Sequence, residues 1–351
     1  MARRPFVPRW ALFSIGFALA GPALTQTTPA DSVDPFASLG RSIAEGYTDI
    51  ESVVVVQRGR TVFESYRDGS ETLRDLQSVT KSVVSVLSGI ALGQGHLRSL
   101  DRPVVELMPE LAAANDDPRA NRITVAHLLT MSSGFDAAAR VDQLTAGVAA
   151  GIFARPLVAA PGERFRYDNR STDLLAVLLS RLTGQDLAAF ARQQLFEPLG
   201  VEAFDWRRGA DGHALGGWGL KLRTRDMARL GQLMLQQGRW AGRQILAEGY
   251  ALASTARQSD GGAPIGLPYG HLWWIAPAAV ERKSFFASGF GGQLVWVHPP
   301  LELVVAITSQ VSAASNARGQ AISLVRNQIY GAALRNAQPP HPAATASSPK
   351  V

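Results

Sequence analysis

Strand-forming segments lie near both ends of this 351-residue chain, and helical patterns fill the stretch between them. The first two segments flank a turn at residues 58–60, which predicts a β-hairpin. The segments with strand patterns are residues 52–56, 61–66, 271–276, 293–298 and 302–308. Because residues 96–264 carry few strand patterns, we expect one sheet built from both chain ends, with a helical lobe inserted between its two parts. The predicted fold class is therefore α/β (α+β).

The N-terminal segment predicts that the chain is exported. Arg3, Arg4 and Arg9 precede an apolar run at residues 10–20, and small residues follow, as in a cleaved signal peptide. Arg3-Arg4 also fits a twin-arginine signal, and an uncleaved anchor is the alternative. We expect a periplasmic or secreted protein with no stable membrane span after cleavage. The predicted boundaries are 1–25 for the signal peptide, 26–35 for a linker, 36–335 for one domain and 336–351 for a disordered tail.

Within that domain, residues 36–95 and 265–335 are predicted to form the sheet lobe, and residues 96–264 the helical lobe. The 46% hydrophobic content is enough for a large core. The absence of cysteine excludes disulfides, a thiolate nucleophile and a lipoprotein anchor. The six histidines lie far apart without a metal-binding spacing, so we expect no metal and no cofactor. The net charge of +6 is spread along the chain, which argues against a nucleic-acid partner.

Ser78 and Lys81 stand three residues apart at the start of a long apolar run. On a helix these positions share a face, so the amine can reach the hydroxyl. Serine needs a base to act as a nucleophile, and burial of the amine would lower the pKa of Lys81 enough for that role. The backbone N–H at the helix start is suited to hold an oxyanion. An ordinary helix cap at Ser78 is the alternative, and a second match at residues 347–350 lies in the predicted tail.

Two further segments carry polar groups that suit a substrate site. Tyr167-Asp168-Asn169 precedes a predicted helix; a tyrosine near an ammonium is expected to ionise more easily, and Asn169 can hold a substrate amide. Its alternative is a helix-entry turn with a packed tyrosine. Residues 288–293, Ser-Gly-Phe-Gly-Gly-Gln, precede a predicted strand, and their glycines allow a ligand to approach the backbone closely. That segment, too, is by itself consistent with an ordinary turn.

Taken together, the three motifs and their order resemble the serine β-lactamase and penicillin-binding-protein superfamily. The resemblance is to its class C-like branch, which includes family VIII-type esterases and 6-aminohexanoate-dimer hydrolases. It extends over residues 36–331 and implies a serine β-lactamase-like fold with an antiparallel sheet flanked by helices. The roles it implies are Ser78 as acylated nucleophile, Lys81 as its proton acceptor, Tyr167 as general acid and base, Asn169, Ser288 and Gly289 as substrate-binding residues, and the Ser78 and Phe290 N–H groups as the oxyanion hole.

One departure from that resemblance bears on the substrate. Where β-lactamases carry Lys-Thr-Gly, this chain has Ala287-Ser288-Gly289, and only Lys283 lies close by. We therefore expect an exported serine hydrolase that cleaves small ester, amide or peptide substrates and handles β-lactams poorly. The alternatives are a β-lactamase or DD-peptidase and, more remotely, a binding protein without turnover. The absence of Gly-x-Ser-x-Gly argues against an α/β-hydrolase.

Overall fold

The computed structural model describes residues 34–139, 147–276 and 284–338. Numbered along the chain, the strands are β1 Ile50–Gln57, β2 Arg60–Tyr66, β3 Arg74–Asp75, β4 Asp205–Trp206, β5 Leu220–Leu222, β6 Arg239–Trp240, β7 Arg243–Gln244, β8 Ser259–Gly262, β9 Leu267–Tyr269, β10 Trp274–Ile275, β11 Phe285–Gly289, β12 Gln293–His298 and β13 Leu303–Ser309. Eight of them form one sheet in the order β2-β1-β13-β12-β11-β10-β9-β8.

The predicted sheet from both chain ends is confirmed. Strand β1 lies antiparallel to both β2 and β13, with Val55 opposite Phe63 on one side and Val305 on the other. All strand pairs in this sheet are antiparallel. Strands from the two ends of the chain, β1 and β13, are thus direct neighbours in the sheet.

Helices cover both faces of this sheet. They are α1 Leu39–Gly46, α2 Val79–Gly93, α3 Val104–Leu107, α4 Val125–Leu129, α5 Gly147–Phe153, α6 Asn169–Thr183, α7 Leu187–Ala191, α8 Glu197–Leu199, α9 Thr224–Leu235, α10 Tyr250–Ser254, α11 Ala313–Arg318, α12 Gln320–Leu324 and α13 Tyr330–Ala337. Consecutive strand residues point to opposite faces. Val297 faces Gly231 of α9, whereas the ring of His298 contacts that of Tyr330 in α13.

Helix α2 is enclosed by the rest of the protein, since every residue from Val79 to Ala91 is buried. Buried hydroxyls must be hydrogen-bonded, because an unpaired one costs free energy. Ser82 Oγ donates to the Leu272 carbonyl at 2.7 Å, and Ser88 Oγ donates to the Val84 carbonyl at 2.9 Å. Thr80 Oγ1 accepts from the Leu220 N–H at 3.2 Å. The Ser82 and Thr80 bonds join the helix to segments from later in the chain and fix its rotation.

Three local predictions differ from the structure. Residues 285–289 form a strand of their own, so the glycine-rich segment is the turn between β11 and β12 rather than the entry to one strand. The strand predicted at residues 271–276 shortens to β10, because Leu272 adopts a positive φ of 60°. The sequence pattern predicts one closing helix over residues 316–334, which the structure interrupts at Gly319, a residue that also has a positive φ.

The predicted signal peptide, most of the linker, Lys283 and nearly all of the predicted tail lie outside the described residues. Those assignments stay predictions. Within the described ranges, no single helix has the length and hydropathy needed to cross a bilayer. Helix α6 and the following segment Leu187–Leu199 meet that criterion only as a pair bent by 74°.

Gly231 lies on the side of α9 that packs closely against the sheet. A Cβ at this position would lie 2.5 Å from Val304 Cγ1 and 2.9 Å from Val295 Cγ1. We expect Gly231→Ala to lower the free energy of unfolding by about 1–3 kcal/mol, the usual cost of overpacking, as measured by urea denaturation. The control is Gly46→Ala at the exposed end of α1, where a Cβ meets nothing within 4 Å. Equal stability of the two variants would contradict the close packing.

Candidate active site

Ser78 stands at the N-terminus of α2, directly after Gln77, whose φ of 49° turns the chain sharply into the helix. The Ser78 side chain caps no backbone N–H of the helix. Its Oγ instead lies 3.1 Å from Lys81 Nζ. The helix-cap alternative for this hydroxyl is therefore wrong, and the spacing of three residues brings the two groups together as predicted.

Lys81 is only 1% exposed, and its amine has three oxygen neighbours. Besides Ser78 Oγ, Nζ lies 2.7 Å from Asn169 Oδ1 and 2.6 Å from the Gly217 carbonyl oxygen. Burial lowers the pKa of Lys81 to about 7, although the negative charges of Asp173 and Asp168 act in the opposite direction. A large fraction of the amine is therefore neutral near physiological pH.

The three neighbours determine where the lone pair of the neutral amine points. A neutral amine has two N–H groups and one lone pair. Asn169 Oδ1 and the Gly217 carbonyl can only accept, so they take the two N–H groups. The lone pair is left facing the Ser78 hydroxyl, which becomes the donor. This arrangement suits removal of the serine proton.

Tyr167 lies beside both Ser78 and Lys81. Its ring stacks on Trp274 with 6.0 Å between centroids, and Lys81 Nζ is 4.8 Å from its ring centre. The expectation that this tyrosine ionises easily is wrong. Burial raises the pKa of Tyr167 to about 12, and the nearby Ser78 hydroxyl opposes this only in part. The phenol therefore stays protonated at neutral pH and is equipped to donate.

Asp168, the middle residue of the tyrosine motif, fixes its two neighbours. Its carboxylate accepts from the N–H groups of Arg170 and Ser171, each at 3.0 Å, and so caps α6. Arg155, which is fully buried, donates to the same carboxylate at 2.7 Å. This role was not predicted from the sequence, although an aspartate directly before a helix is a typical N-cap.

The turn after β11 brings the Phe290 N–H group to the cavity that Ser78 lines. Among the described residues, neither the Ser78 nor the Phe290 N–H donates to a protein acceptor, and both residues line the same cavity. Gly289 lies so close to the Leu76 carbonyl oxygen that a Cβ there would be 2.4 Å from it. Ala287 is buried opposite Val295 and does not line the cavity.

The cavity above Ser78 has a volume of about 370 Å³. Its lining residues are Ser78, Tyr167, Asn169, Pro264, Ile265, Trp274, Ser288, Gly289, Phe290, Gly292, Gln293, Leu294, Asn316, Gly319, Ala321 and Ile322. In the described part of the chain, none of the lining side chains carries a formal charge. The site residues predicted from the sequence therefore meet at one cavity, with Lys81 behind its wall.

A second depression, larger than this cavity, does not contain the predicted catalytic residues. It has a volume of about 610 Å³, includes Arg181 and Asp186, is wide open to solvent, and is lined by none of Ser78, Lys81 and Tyr167. Among the residues that the structure describes, no group of three or more His, Asp or Glu side chains is arranged to hold a metal ion.

Comparison with known proteins places this fold and cavity in a family. A family model described as beta-lactamase matches residues 46–326. A 6-aminohexanoate-dimer hydrolase of Paenarthrobacter ureafaciens is 26% identical over 338 residues, covering 85% of this chain and 84% of that protein. Esterase EstB of Burkholderia gladioli is 32% identical over 151 residues, 37% of this chain and 38% of the esterase.

The fold is also similar to that of a family VIII carboxylesterase of known structure. The TM-score is 0.70 at 15% identity, over 85% of this chain and 97% of that one. Since the family model spans most of the chain, the resemblance inferred from the motifs is confirmed. This protein belongs to the β-lactamase family and is a serine hydrolase.

Proposed function

We propose that this protein cleaves small, uncharged esters or linear amides through an acyl-enzyme on Ser78. The observation that carries the proposal is the placement of Lys81 Nζ, which lies 3.1 Å from Ser78 Oγ and within hydrogen-bond distance of the Asn169 Oδ1 and Gly217 carbonyl acceptors. A binding protein without turnover has no need of a buried amine with a pKa near 7. Such perturbed groups are typical of catalytic sites.

In the proposed reaction, neutral Lys81 accepts the Ser78 proton while Oγ attacks the substrate carbonyl carbon. The negative charge that develops on the carbonyl oxygen is held by the Ser78 and Phe290 N–H groups. Tyr167 donates its proton to the leaving group as the carbon–leaving-group bond breaks, and the Lys81 ammonium then returns a proton to the phenolate. Water hydrolyses the resulting ester, which releases the acid and restores the serine.

The character of the cavity supports an uncharged substrate. Ile265, Trp274, Phe290 and Ile322 give it apolar walls, and no charged side chain lines it in the described residues. A β-lactam or a peptidoglycan peptide brings a carboxylate that needs a cationic partner. The relatives named as an esterase and as a 6-aminohexanoate-dimer hydrolase support an ester or amide bond as the target.

Ser78→Ala is expected to abolish both hydrolysis and labelling by a fluorophosphonate probe. Lys81→Ala should be nearly as damaged, with kcat lower by several orders of magnitude, because a nucleophile and its base act as a unit. The measurements are probe labelling on a gel and kcat for a chromogenic ester. Lys221→Ala is the matched control, since that lysine is half-exposed and forms an ion pair with Asp205 away from the cavity. Retention of most activity by Lys81→Ala would show that another group is the base.

The value of kcat/KM should rise with pH through about 7 and then level off. Protonated Lys81 cannot accept the serine proton, so activity is lost as pH falls below its pKa of about 7. Since the pKa of Tyr167 is raised to about 12, no loss from phenol ionisation is expected below about pH 10. A profile that stays flat down to about pH 5 would be incompatible with Lys81 as the base.

The wild-type enzyme should prefer p-nitrophenyl butyrate over nitrocefin. A missing charge-assisted hydrogen bond costs about 1.5–3 kcal/mol, or roughly one to two powers of ten in kcat/KM. A positive charge that could bind the nitrocefin carboxylate is best introduced at Ile322, which lines the cavity, because Ala287 is buried and does not. Ile322→Arg should raise the nitrocefin-to-ester ratio, whereas uncharged Ile322→Gln should not. Nitrocefin turnover by the wild type at a level comparable to the ester would refute the substrate assignment.

A further inference from the structure

Asp173 is a buried carboxylate that the proposed reaction does not use. It is 3% exposed and lies one helical turn after Asn169 on α6, so the two residues share a face. Its Oδ1 accepts from the N–H groups of Gly216 and Gly217, each at 3.0 Å. The carbonyl of Gly217 in turn accepts from Lys81 Nζ. Gly217 therefore connects the Asp173 carboxylate to the Lys81 amine.

The Gly216-Gly217 segment lies directly against α6. A Cβ on Gly216 would be 2.1 Å from the Thr172 carbonyl oxygen, and one on Gly217 would be 3.1 Å from Asn169 Cβ. Only glycine allows this approach, which brings both N–H groups within reach of Asp173. The Gly217 carbonyl faces Lys81, and the hydrogen bonds from the Gly216 and Gly217 N–H groups to Asp173 hold it in place.

Charged groups face Lys81 from the α6 end of the site. Asp173 and Asp168 both stabilise its ammonium form, against the effect of burial. Each carboxylate has its own cation: Arg170 lies 3.3 Å from Asp173, and Arg155 lies 2.7 Å from Asp168. The remaining titratable neighbour is Tyr167, which burial keeps protonated. The other two neighbours of Lys81 Nζ are uncharged. They are the Ser78 hydroxyl at the start of α2 and the carbonyl of Gly217.

We propose that Asp173 is a positioning residue for the base. Its carboxylate holds the Gly217 carbonyl against Lys81 and so aims the amine at Ser78, and its charge stabilises the ammonium that forms when Lys81 accepts the serine proton. This inference rests on the proposed function of Ser78 and Lys81. It adds a group that acts on the reaction without touching substrate.

The test compares two substitutions at this position. Asp173→Ala removes both hydrogen bonds to the glycines, and we expect kcat to fall on the order of 100-fold, the cost of misplacing a reacting group by about 1 Å, with KM little changed. Asp173→Asn keeps an amide oxygen that can accept both N–H groups. It should retain activity within about tenfold while the acidic limb of the pH profile moves to lower pH, because a charge that favours the ammonium is gone.

A second measurement follows the protonation of Lys81 by NMR and needs no substrate turnover. The chain has four lysines, so labelling lysine with ¹³C at Cε gives at most four signals, and the one missing in Lys81→Ala is assigned to Lys81. Its titration midpoint should be lower in Asp173→Asn than in the wild type. Asp226→Asn, a change at another buried carboxylate on α9, is the matched control and should leave the midpoint in place.

The outcomes separate this inference from the proposed function. An unmoved Lys81 midpoint in Asp173→Asn, or equal kcat losses in the two Asp173 variants, overturns the positioning role. If Asp173→Ala fails to fold, the Lys81 midpoint in Asp173→Asn still decides the test. Hydrolysis that persists in Ser78→Ala would instead overturn the proposed function, and the lysine titration remains readable in that case.

Discussion

The enclosure of one amine underlies the arrangement of this site. An ammonium ion loses most of its hydration when it is buried, and a protein tolerates this only with good partners or with a lowered pKa. Lys81 has both, since three oxygen atoms surround its Nζ and its pKa lies near 7. The buried helix α2, the start of α6 and the Gly216-Gly217 segment each contribute one wall of this enclosure.

The buried ion pair of Arg155 and Asp168 stabilises the start of α6, which is one wall of the Lys81 enclosure. Asp168 receives two backbone N–H groups, a guanidinium and the Ser171 hydroxyl, so its charge is fully compensated. The ring of Phe135 lies 4.7 Å from the Arg155 guanidinium carbon and covers it. A buried pair of this kind adds little net stability but favours one arrangement over others. Here that arrangement sets the direction of Tyr167 and Asn169.

Much of the fold and part of the site were predictable from the sequence, for local reasons. The hairpin of β1 and β2 has two runs of strand-forming residues around a turn, and the contact between Ser78 and Lys81 follows from helical spacing alone. Strand β11 was missed because its five residues end in a glycine that reads as a turn. Gly217 and Asp173 carry no local pattern, since Gly217 meets Lys81 across 136 positions of the chain. The raised pKa of Tyr167 also depends on burial by distant segments, which spacing cannot reveal.

The pairing of β1 with β13 has a consequence for how the protein is made. Val55 of β1 pairs with Val305 of β13, so β1 gains this neighbour only when the last strands have left the ribosome. Until then the hairpin of β1 and β2 has an open edge, and contacts of such long range form slowly. Helix α2 also lacks β11 during this time, so a nascent chain carries its serine and lysine without the Phe290 N–H. If the proposed mechanism holds, hydrolytic competence is a late event in biosynthesis, reached after nearly the whole domain has been translated.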